Sequence, residues 1–286
     1  MVDLHVHSDF SDGTVSPEEL VREAAGIGLK ALALTDHDTM AGWRRFVRAA
    51  KAAGVRPVLG VELSAAHEHG PLHILGYFPR PTPRLCAALR RLRQGRRERN
   101  EAILARLRAL GLGVGRDDVL RQAGVGAVGR LHFARALVEI GCVQTAQEAF
   151  DRWLARGRPA YVDRFRFSAA ETIAMLRSAG AVTVLAHPGL LRCKGAHLRA
   201  LVAELREAGL DGLEVWHSRH VASGAVRLRA LAERYGLLAT GGSDYHGRGE
   251  AGVRLGAGTA GMSLPLSLLA GLDRLRSRPV DGVPFG

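Results

Sequence analysis

Seven short apolar runs punctuate the chain: "VDLHV", "ALALT", "RPVLGVELS", "LHILGYF", "AVTVLAHP", "GLEVW" and "LLATGGSD". None alternates strictly between apolar and polar positions, and each is rich in Leu or β-branched residues. That is how strands covered on both faces in a parallel sheet read. Amphipathic helical patterns lie between them. "SPEELVREAAGIG" has Ser16 placed as N-cap, Pro17 at the first helical position and Glu19 completing a capping box. "SAAETIAMLRSAG" repeats this with Ser168 and Glu171 and stops at Gly180, while "GWRRFVRAAKAAG" ends on Gly54. "HLRALVAELREAG" and "GAVRLRALAERYG" follow the same plan. Repeated strand–helix units predict a parallel α/β architecture.

One segment breaks the rhythm. From about Pro79 to Phe167 the pattern is helical without a convincing strand: "PRLCAALRRLRQGRRERNEAILARLRALG", then "GRLHFARALVEIG" and "TAQEAFDRWLARG". This predicts an α-helical insertion, placed at 95–158, within a larger domain formed by 1–94 and 159–286. The run "RRLRQGRRERN" is either a solvated helix face or a surface that grips phosphate.

Composition narrows the class. The chain has 286 residues and a formal charge of +12, and nearly all its basic residues are Arg. Arg presents a rigid fork of donors that matches phosphate, so the balance favours anionic partners such as nucleotides, nucleic acid or phosphoesters. A coding bias toward Arg, Ala and Gly would give the same balance, and charge alone does not assign a function. Cys86, Cys142 and Cys193 are few and widely spaced, which argues against a disulfide framework and for a reducing, cytoplasmic setting. The start "MVDLHVHSD" lacks a basic, then apolar, signal pattern, and no window reaches the roughly 18 apolar residues of a membrane span.

Almost every apolar run ends in residues that can bind a metal. The first carries His5 and His7, followed by Asp9 and Asp12; the second Asp36, His37 and Asp38; the third Glu62; the fourth His73 near its start; the fifth His187; and the last Asp244 and His246. Ligands in parallel α/β folds gather at the carboxyl ends of the strands. Each residue has a plainer reading: a lone His is more often a surface or core residue, and Asp36 or Asp38 can be the N-cap of the next helix. The repetition at strand after strand favours one shared site. Imidazole and carboxylate together suit Mn, Zn or Fe, and so many donors suit two or three ions with a bridging carboxylate. Three charged carboxylates (Asp12, Glu62, Asp244) against three divalent ions leave a positive site. Such a site attracts phosphate and makes hydroxide available near neutral pH. Metal-assisted phosphoester hydrolysis follows as the leading chemistry.

Together, "DLHVHSDFSDG", "ALTDHDT", "GVELS", "LHILGYF", "AHPG" and "GGSDYHG" closely resemble the PHP (polymerase and histidinol phosphatase) family across nearly the whole chain. The resemblance implies a distorted (βα)7 barrel with a trinuclear site of Mn, most simply, or of Fe or Zn. The implied ligands are His5, His7, Asp12, His37, Glu62, His73, His187, Asp244 and His246. His5, His7, Glu62 and Asp244 would hold one ion. Glu62 would bridge to a second with His73 and His187. Asp12, His37 and His246 would hold a third and are the implied catalytic residues, with Asp9 bracing the loop instead.

Within that family, "RNEAIL", "GRLHFARALVEIG" and "AYVDRF" resemble the branch of nucleoside 3',5'-bisphosphate phosphatases, some of which also act as 5'-to-3' exonucleases on short RNA. The branch implies that the insertion covers the metal mouth, with Arg99, Asn100, Arg130 and His132 as phosphate or sugar contacts. Arg130 could instead cap a helix and His132 pack beneath it. The branch often has an Arg directly after "AHPG"; here Leu190 and Leu191 intervene and Arg192 is the candidate replacement. His217 and His220 lie near the sixth strand end, where they could touch substrate, but with His67, His69 and His197 they read more simply as solvated loop histidines. The expected partner is a small phosphorylated nucleotide or a short oligonucleotide, with no membrane and no obligate protein partner. Two other readings remain: a histidinol-phosphate-type phosphatase, which the basic insertion disfavours, and a non-catalytic nucleic-acid-binding module stabilised by its metals, which the full ligand set disfavours.

Overall fold

The computed structural model describes residues 1–68, 70–123, 127–247 and 252–276. Contacts divide the chain into two compact units, 1–87 with 167–286, and 88–166.

The first unit is built on one sheet. Its strands are β1 (Val2–Val6), β2 (Ala31–Leu34), β3 (Arg56–Ala66), β4 (Leu72–Tyr77), β5 (Phe167–Ser168), β6 (Val182–Leu185), β7 (Gly212–His217) and β8 (Leu238–Gly242). All seven predicted runs form strands, and the two-residue β5 is an addition that pairs with the end of β3. The order is β1-β2-β3-β4-β6-β7-β8. After β8 the chain turns back on β1: the Asp244 N–H donates to the His5 carbonyl at 2.8 Å and the His7 N–H to that of Tyr245 at 2.9 Å. The sheet is thereby nearly closed into a barrel. β1, β2 and β6 are buried along their whole length, so the polar Asp3 and His5 of β1 and Thr183 of β6 must find partners inside the fold.

The structure departs from the parallel reading at one strand. β4 runs antiparallel to both β3 and β6. The connection from Ala66 to Leu72 is too short for the dozen or more residues that a parallel crossover needs, so the chain can only fold back. The reversal places His73, at the start of β4, opposite Ser64 and two residues along from Glu62 on β3. The first residues of β4 therefore lie at the end of the barrel where the other strands finish.

Helices cover the sheet: α1 (Pro17–Gly26) and α2 (Trp43–Ala52), then, beyond the second unit, α7 (Ala169–Ser178), α8 (Gly195–Glu207), α9 (Ala222–Arg234) and α10 (Ser267–Arg276). The capping boxes at Ser16/Glu19 and Ser168/Glu171 both form. Phe46, Leu20, Leu32 and Leu34 are fully buried in one apolar cluster, and Leu4, Leu75 and Tyr77 in another. Burying one such side chain contributes roughly 1.5–3 kcal/mol.

The second unit is helical. α3 (Pro83–Ala109) runs unbroken into it, followed by α4 (Arg116–Ala123), α5 (Arg130–Glu139), α6 (Ala146–Ala149) and a π-helical turn at Phe150–Leu154. Ile103, Leu107, Phe133 and Leu137 anchor its own core. Gly95 lets the return segment pass close to α3, since a β-carbon there would stand 2.9 Å from Cβ of Phe165. Among the described residues, no helix is long and apolar enough to cross a membrane.

Candidate metal centre

Strand periodicity builds the floor of the site. Successive side chains on a strand point to opposite faces, so Asp3 and His5 share one face of β1, continued by His7 just past its end, while Leu4 and Val6 enter the apolar clusters. His5 and His7 are completely buried. Glu62 from β3 lies against them, and its two oxygens divide the site. Oε2 is 3.4 Å from His5 Nε2, 3.2 Å from His7 Nε2 and 3.0 Å from His37 Nδ1. Oε1 is 3.0 Å from His73 Nδ1 and 3.2 Å from His187 Nε2. Asp244 Oδ1 completes the first side, 3.4 Å from His5 Nε2 and 3.2 Å from His7 Nε2. Asp12 lies 3.6 Å from His37 and 3.4 Å from His246. All nine sequence-derived candidates come together at this end of the barrel.

Among the described residues, three overlapping groups have donor atoms within 4.8 Å of one another: His5, His7, Glu62 and Asp244; His7, Asp12, His37 and His246; and His37, Glu62 and His73. His187 adjoins the third, its Nε2 lying 3.2 Å from His73 Nδ1. The first expected grouping is found as such; the third is found with His7 added, and the second with His37 in the place expected for His187, so His7, His37 and Glu62 each belong to two groups.

The donor set fits divalent ions on this structure's own chemistry. Asp12 Oδ1, His37 Nδ1 and Glu62 Oε2 are buried without a hydrogen-bond partner among the described residues, a state that costs about 1–3 kcal/mol per group, more for a charged one. Donors about 2.1 Å from one ion at tetrahedral or octahedral angles stand about 3.0–3.4 Å apart, the spacing seen around Glu62. The charges agree. Burial by itself would raise the carboxyls of Glu62, Asp244 and Asp12, yet the surrounding imidazoles hold all three well below the usual range. Burial would lower His7, but the Asp244 and Glu62 carboxylates 3.2 Å from its Nε2, with Asp12 nearby, push it up to about 10. Without a bound cation, the carboxylates raise His5, His7 and His187 against the effect of burial, whereas burial wins at His73 and lowers it to about 4.

The supporting residues were mostly not foreseen. Asp36 takes the role expected of Asp9: it accepts from Ser8 N at 2.8 Å, Ser8 Oγ at 2.8 Å and Ser11 Oγ at 2.7 Å, tying the first loop. Asp9 Oδ1 has no hydrogen-bond partner among the described residues. Neither Asp36 nor Asp38 caps α2, whose N-cap is Gly42. Asp3, fully buried, accepts from the N–H groups of His5, Ser243 and Gly256 and so fastens β1 to the loop after β8. Gly242 packs against the His5 backbone and Cβ, where no side chain fits.

His217 and His220 are not solvated, contrary to expectation; they are 0% and 5% exposed. His217 Nε2 lies 3.3 Å from Asp244 Oδ2. His220 Nε2 accepts from Gly189 N–H, and its Nδ1 donates to the Val215 carbonyl. His67 is also tucked in, 3.2 Å from Glu204, whereas His197 is exposed and His69 lies outside the described residues. Glu214, within the apolar run "GLEVW", was missed altogether; a lone carboxylate inside a buried strand was the available signal.

Of the expected substrate contacts, Arg192 is exposed beyond the short turn Pro188–Leu190. The other four lie in the helical unit. Arg99 is 8% exposed and its Nε donates to Asn100 Oδ1 at 2.9 Å. Burial, together with the charges of Arg96, Arg164, Arg130 and Arg166, lowers Arg99 to about 9. Asn100 holds the Val128 carbonyl. His132 Nδ1 accepts from Gly129 N–H at the start of α5, so the local capping role falls to His132. Arg130 reaches the Leu154 carbonyl, with its guanidinium 5.2 Å from the Tyr161 ring centroid.

Comparison with known proteins agrees with this geometry. Residues 3–111 match the PHP domain family. The chain is 35% identical over 257 residues to the 3',5'-nucleoside bisphosphate phosphatase of Chromobacterium violaceum, covering 89% of this chain and 90% of that protein. It is 35% identical to a 5'-3' exoribonuclease of Haemophilus influenzae, covering 85% and 89%. A crystal structure from Bifidobacterium adolescentis, provisionally assigned as a metal-dependent phosphoesterase, superposes with a TM-score of 0.83 at 32% identity over 99% of this chain and 98% of that one. With this identity along nearly its full length, the chain belongs to the PHP domain family.

Proposed function

We propose that this chain, a PHP-family phosphoesterase, removes the 3'-phosphate from nucleoside 3',5'-bisphosphates such as adenosine 3',5'-bisphosphate, leaving the 5'-monophosphate. The observation that carries the reading is Glu62, a buried carboxylate with one oxygen facing His5, His7 and His37 and the other facing His73 and His187. That is the arrangement of a carboxylate shared between ions.

His5, His7, Glu62 and Asp244 would hold one divalent ion, Glu62 with His73 and His187 a second, and Asp12, His37 and His246 a third, with manganese the first choice. Such ions act as Lewis acids on a phosphoryl oxygen and bring the pKa of water from about 16 towards about 7. The chain supplies position and charge. Glu62 stays ionised and fixes the spacing between the two sides. His246 donates through Nδ1 to the Asp244 carbonyl at 2.8 Å, which leaves Nε2 as the atom facing Asp12. The side chains of Asp12, His246 and His73 are 28%, 25% and 28% exposed, against 0–1% for His5, His7 and Glu62. Asp12, His246 and His73 therefore border the opening, and Asp12, His37 and His246 are assigned to orient the incoming phosphoryl group and water.

The phosphate that is not cleaved needs its own contacts, and these are assigned to Arg99, Asn100, Arg130 and His132, with Arg192 a further candidate. Residues 95–158 act in this reading as the substrate-gripping insertion. Four guanidinium groups, those of Arg96, Arg130, Arg164 and Arg166, crowd around Arg99, with the Asp163 carboxylate at their edge. A phosphate would relieve that repulsion while accepting bidentate hydrogen bonds. The same crowding, and the resemblance to a named exoribonuclease, favour short 5'-phosphorylated RNA as a second substrate of the same centre.

The test is hydrolysis of adenosine 3',5'-bisphosphate by manganese-loaded protein, with the products separated. AMP and phosphate, abolished by chelation, support the reading. Release of the 5'-phosphate, or hydrolysis indifferent to chelation, contradicts it.

A further inference from the structure

Glu214 sits in mid-β7 with no exposure to solvent, between Leu213 and Val215 along the strand. Burying a carboxylate is costly unless it is fully engaged, and both of its oxygens are. Oε1 lies 3.0 Å from His5 Nδ1. Oε2 accepts the backbone N–H of His187 at 2.7 Å. The two partners belong to opposite sides of Glu62: His5 faces Oε2 and His187 faces Oε1.

Each contact decides something different. An ionised carboxylate only accepts, so Nδ1 of His5 carries the hydrogen. Nε2 is then left with its lone pair, aimed at the point shared by His7, Glu62 and Asp244. His187 has φ 32° and ψ 52°, a left-handed backbone that a residue with a side chain adopts at a cost of order 1–3 kcal/mol. Its N–H is held by Glu214. Two residues on, the Gly189 N–H is held by His220, whose ring lies so close that a β-carbon on Gly189 would stand 2.6 Å from it. β7 and the turn after it therefore clamp the strained turn that carries His187.

We propose that Glu214 is a positioning residue that sets two donors of the centre at once, the tautomer of His5 and the backbone placement of His187, and so couples the ion positions on either side of Glu62. The inference rests on the reading of this cluster as a metal centre. It has a sharp consequence for Glu214→Gln. If the amide oxygen keeps the His187 N–H, the amide nitrogen must donate to His5 Nδ1. The imidazole hydrogen then moves to Nε2, where it blocks the donor atom while leaving the packing nearly unchanged.

The experiment compares wild-type and Glu214→Gln protein, stripped of metal and titrated with manganese, following free ion by electron paramagnetic resonance and folding by thermal melting. The expected result is a metal-free melting temperature close to wild type, with manganese affinity weakened about 10- to 100-fold and occupancy reduced by more than one ion at a fixed manganese concentration. Wild-type affinity and stoichiometry in a folded variant would overturn the proposal. Should the variant not fold, zinc-loaded wild-type protein labelled with 15N-histidine gives the answer: a hydrogen on Nδ1 of His5 supports the assignment, and one on Nε2 overturns it. If wild-type protein takes up no ion at all, the metal-centre reading itself falls, an outcome distinct from a variant that binds like wild type.

Discussion

The Nε2 atoms of His5 and His7 face each other at 3.1 Å, and both rings are completely buried. Two neutral imidazoles cannot both present lone pairs at that distance without something positive between or beside them. Here Glu62 and Asp244 press on the same point. Either protons or a cation must fill the need, and the competition between the two makes the site testable in several independent ways.

Manganese-loaded protein should carry two to three ions per chain by elemental analysis. Glu62→Gln should lose more than one of them and at least about 100-fold in turnover, because the shared carboxylate serves both sides. Loss of a single ion, with the others retained at full affinity, would mean that Glu62 does not bridge.

Stability should depend on pH in opposite ways with and without metal. In metal-free protein His7 is raised from 6.5 to about 10. The folded state therefore holds its proton more tightly than the unfolded chain does. That contribution is fully present below about pH 6.5 and fades as pH rises towards 10. Asp12, Glu62 and Asp244 are lowered, so their contribution is present above the ordinary carboxylate range and is lost as pH falls. From pH 7 to 9 the melting temperature of stripped protein should fall. That of loaded protein should hold or rise, since metal binding competes with protons. Parallel curves would show that the ions do not displace these protons.

Much of this was legible in the sequence, for physical reasons. Strands buried on both faces must be almost wholly apolar, so a His or carboxylate at their ends stands out, and His5, His7, Glu62, His187 and Asp244 were found that way. Capping is local, so Ser16 with Glu19 and Ser168 with Glu171 could be read within single turns. The direction of β4 was not recognised, although the short link from Ala66 to Leu72 implied it; the reversal is why His73 appears at the start of its run and not at the end. Glu214, His217 and Asp3 escaped because their partners lie far along the chain, such as His5 209 residues from Glu214. Asp9 and Asp36 were separable only by seeing which of them the Ser8 and Ser11 hydroxyls reach.

Substrate selectivity should respond to the helical unit. Arg99→Ala and Arg130→Ala should each raise KM for adenosine 3',5'-bisphosphate about 10- to 100-fold, the worth of a charged hydrogen bond. KM for a generic aryl phosphate should change little. Equal effects on both substrates, or none, would return these residues to a structural role.

Asp3 should matter for folding. Asp3→Ala strips acceptors from the buried N–H groups of His5, Ser243 and Gly256, each worth about 1–3 kcal/mol when left unmet. Urea unfolding of metal-free protein should show a loss of about 3 kcal/mol or more. A change below about 1 kcal/mol would indicate that the seam between β1 and the loop after β8 is held in some other way.

The most direct test of the central claim is one substrate panel with manganese-loaded protein: adenosine 3',5'-bisphosphate, AMP, a 5'-phosphorylated oligoribonucleotide and histidinol phosphate, each followed by initial rate. The bisphosphate should show the highest kcat/KM, the oligonucleotide should be turned over, and AMP and histidinol phosphate should be hydrolysed little. Histidinol phosphate or AMP turned over as well as the bisphosphate, or no manganese-stimulated hydrolysis of any of the four, would contradict it.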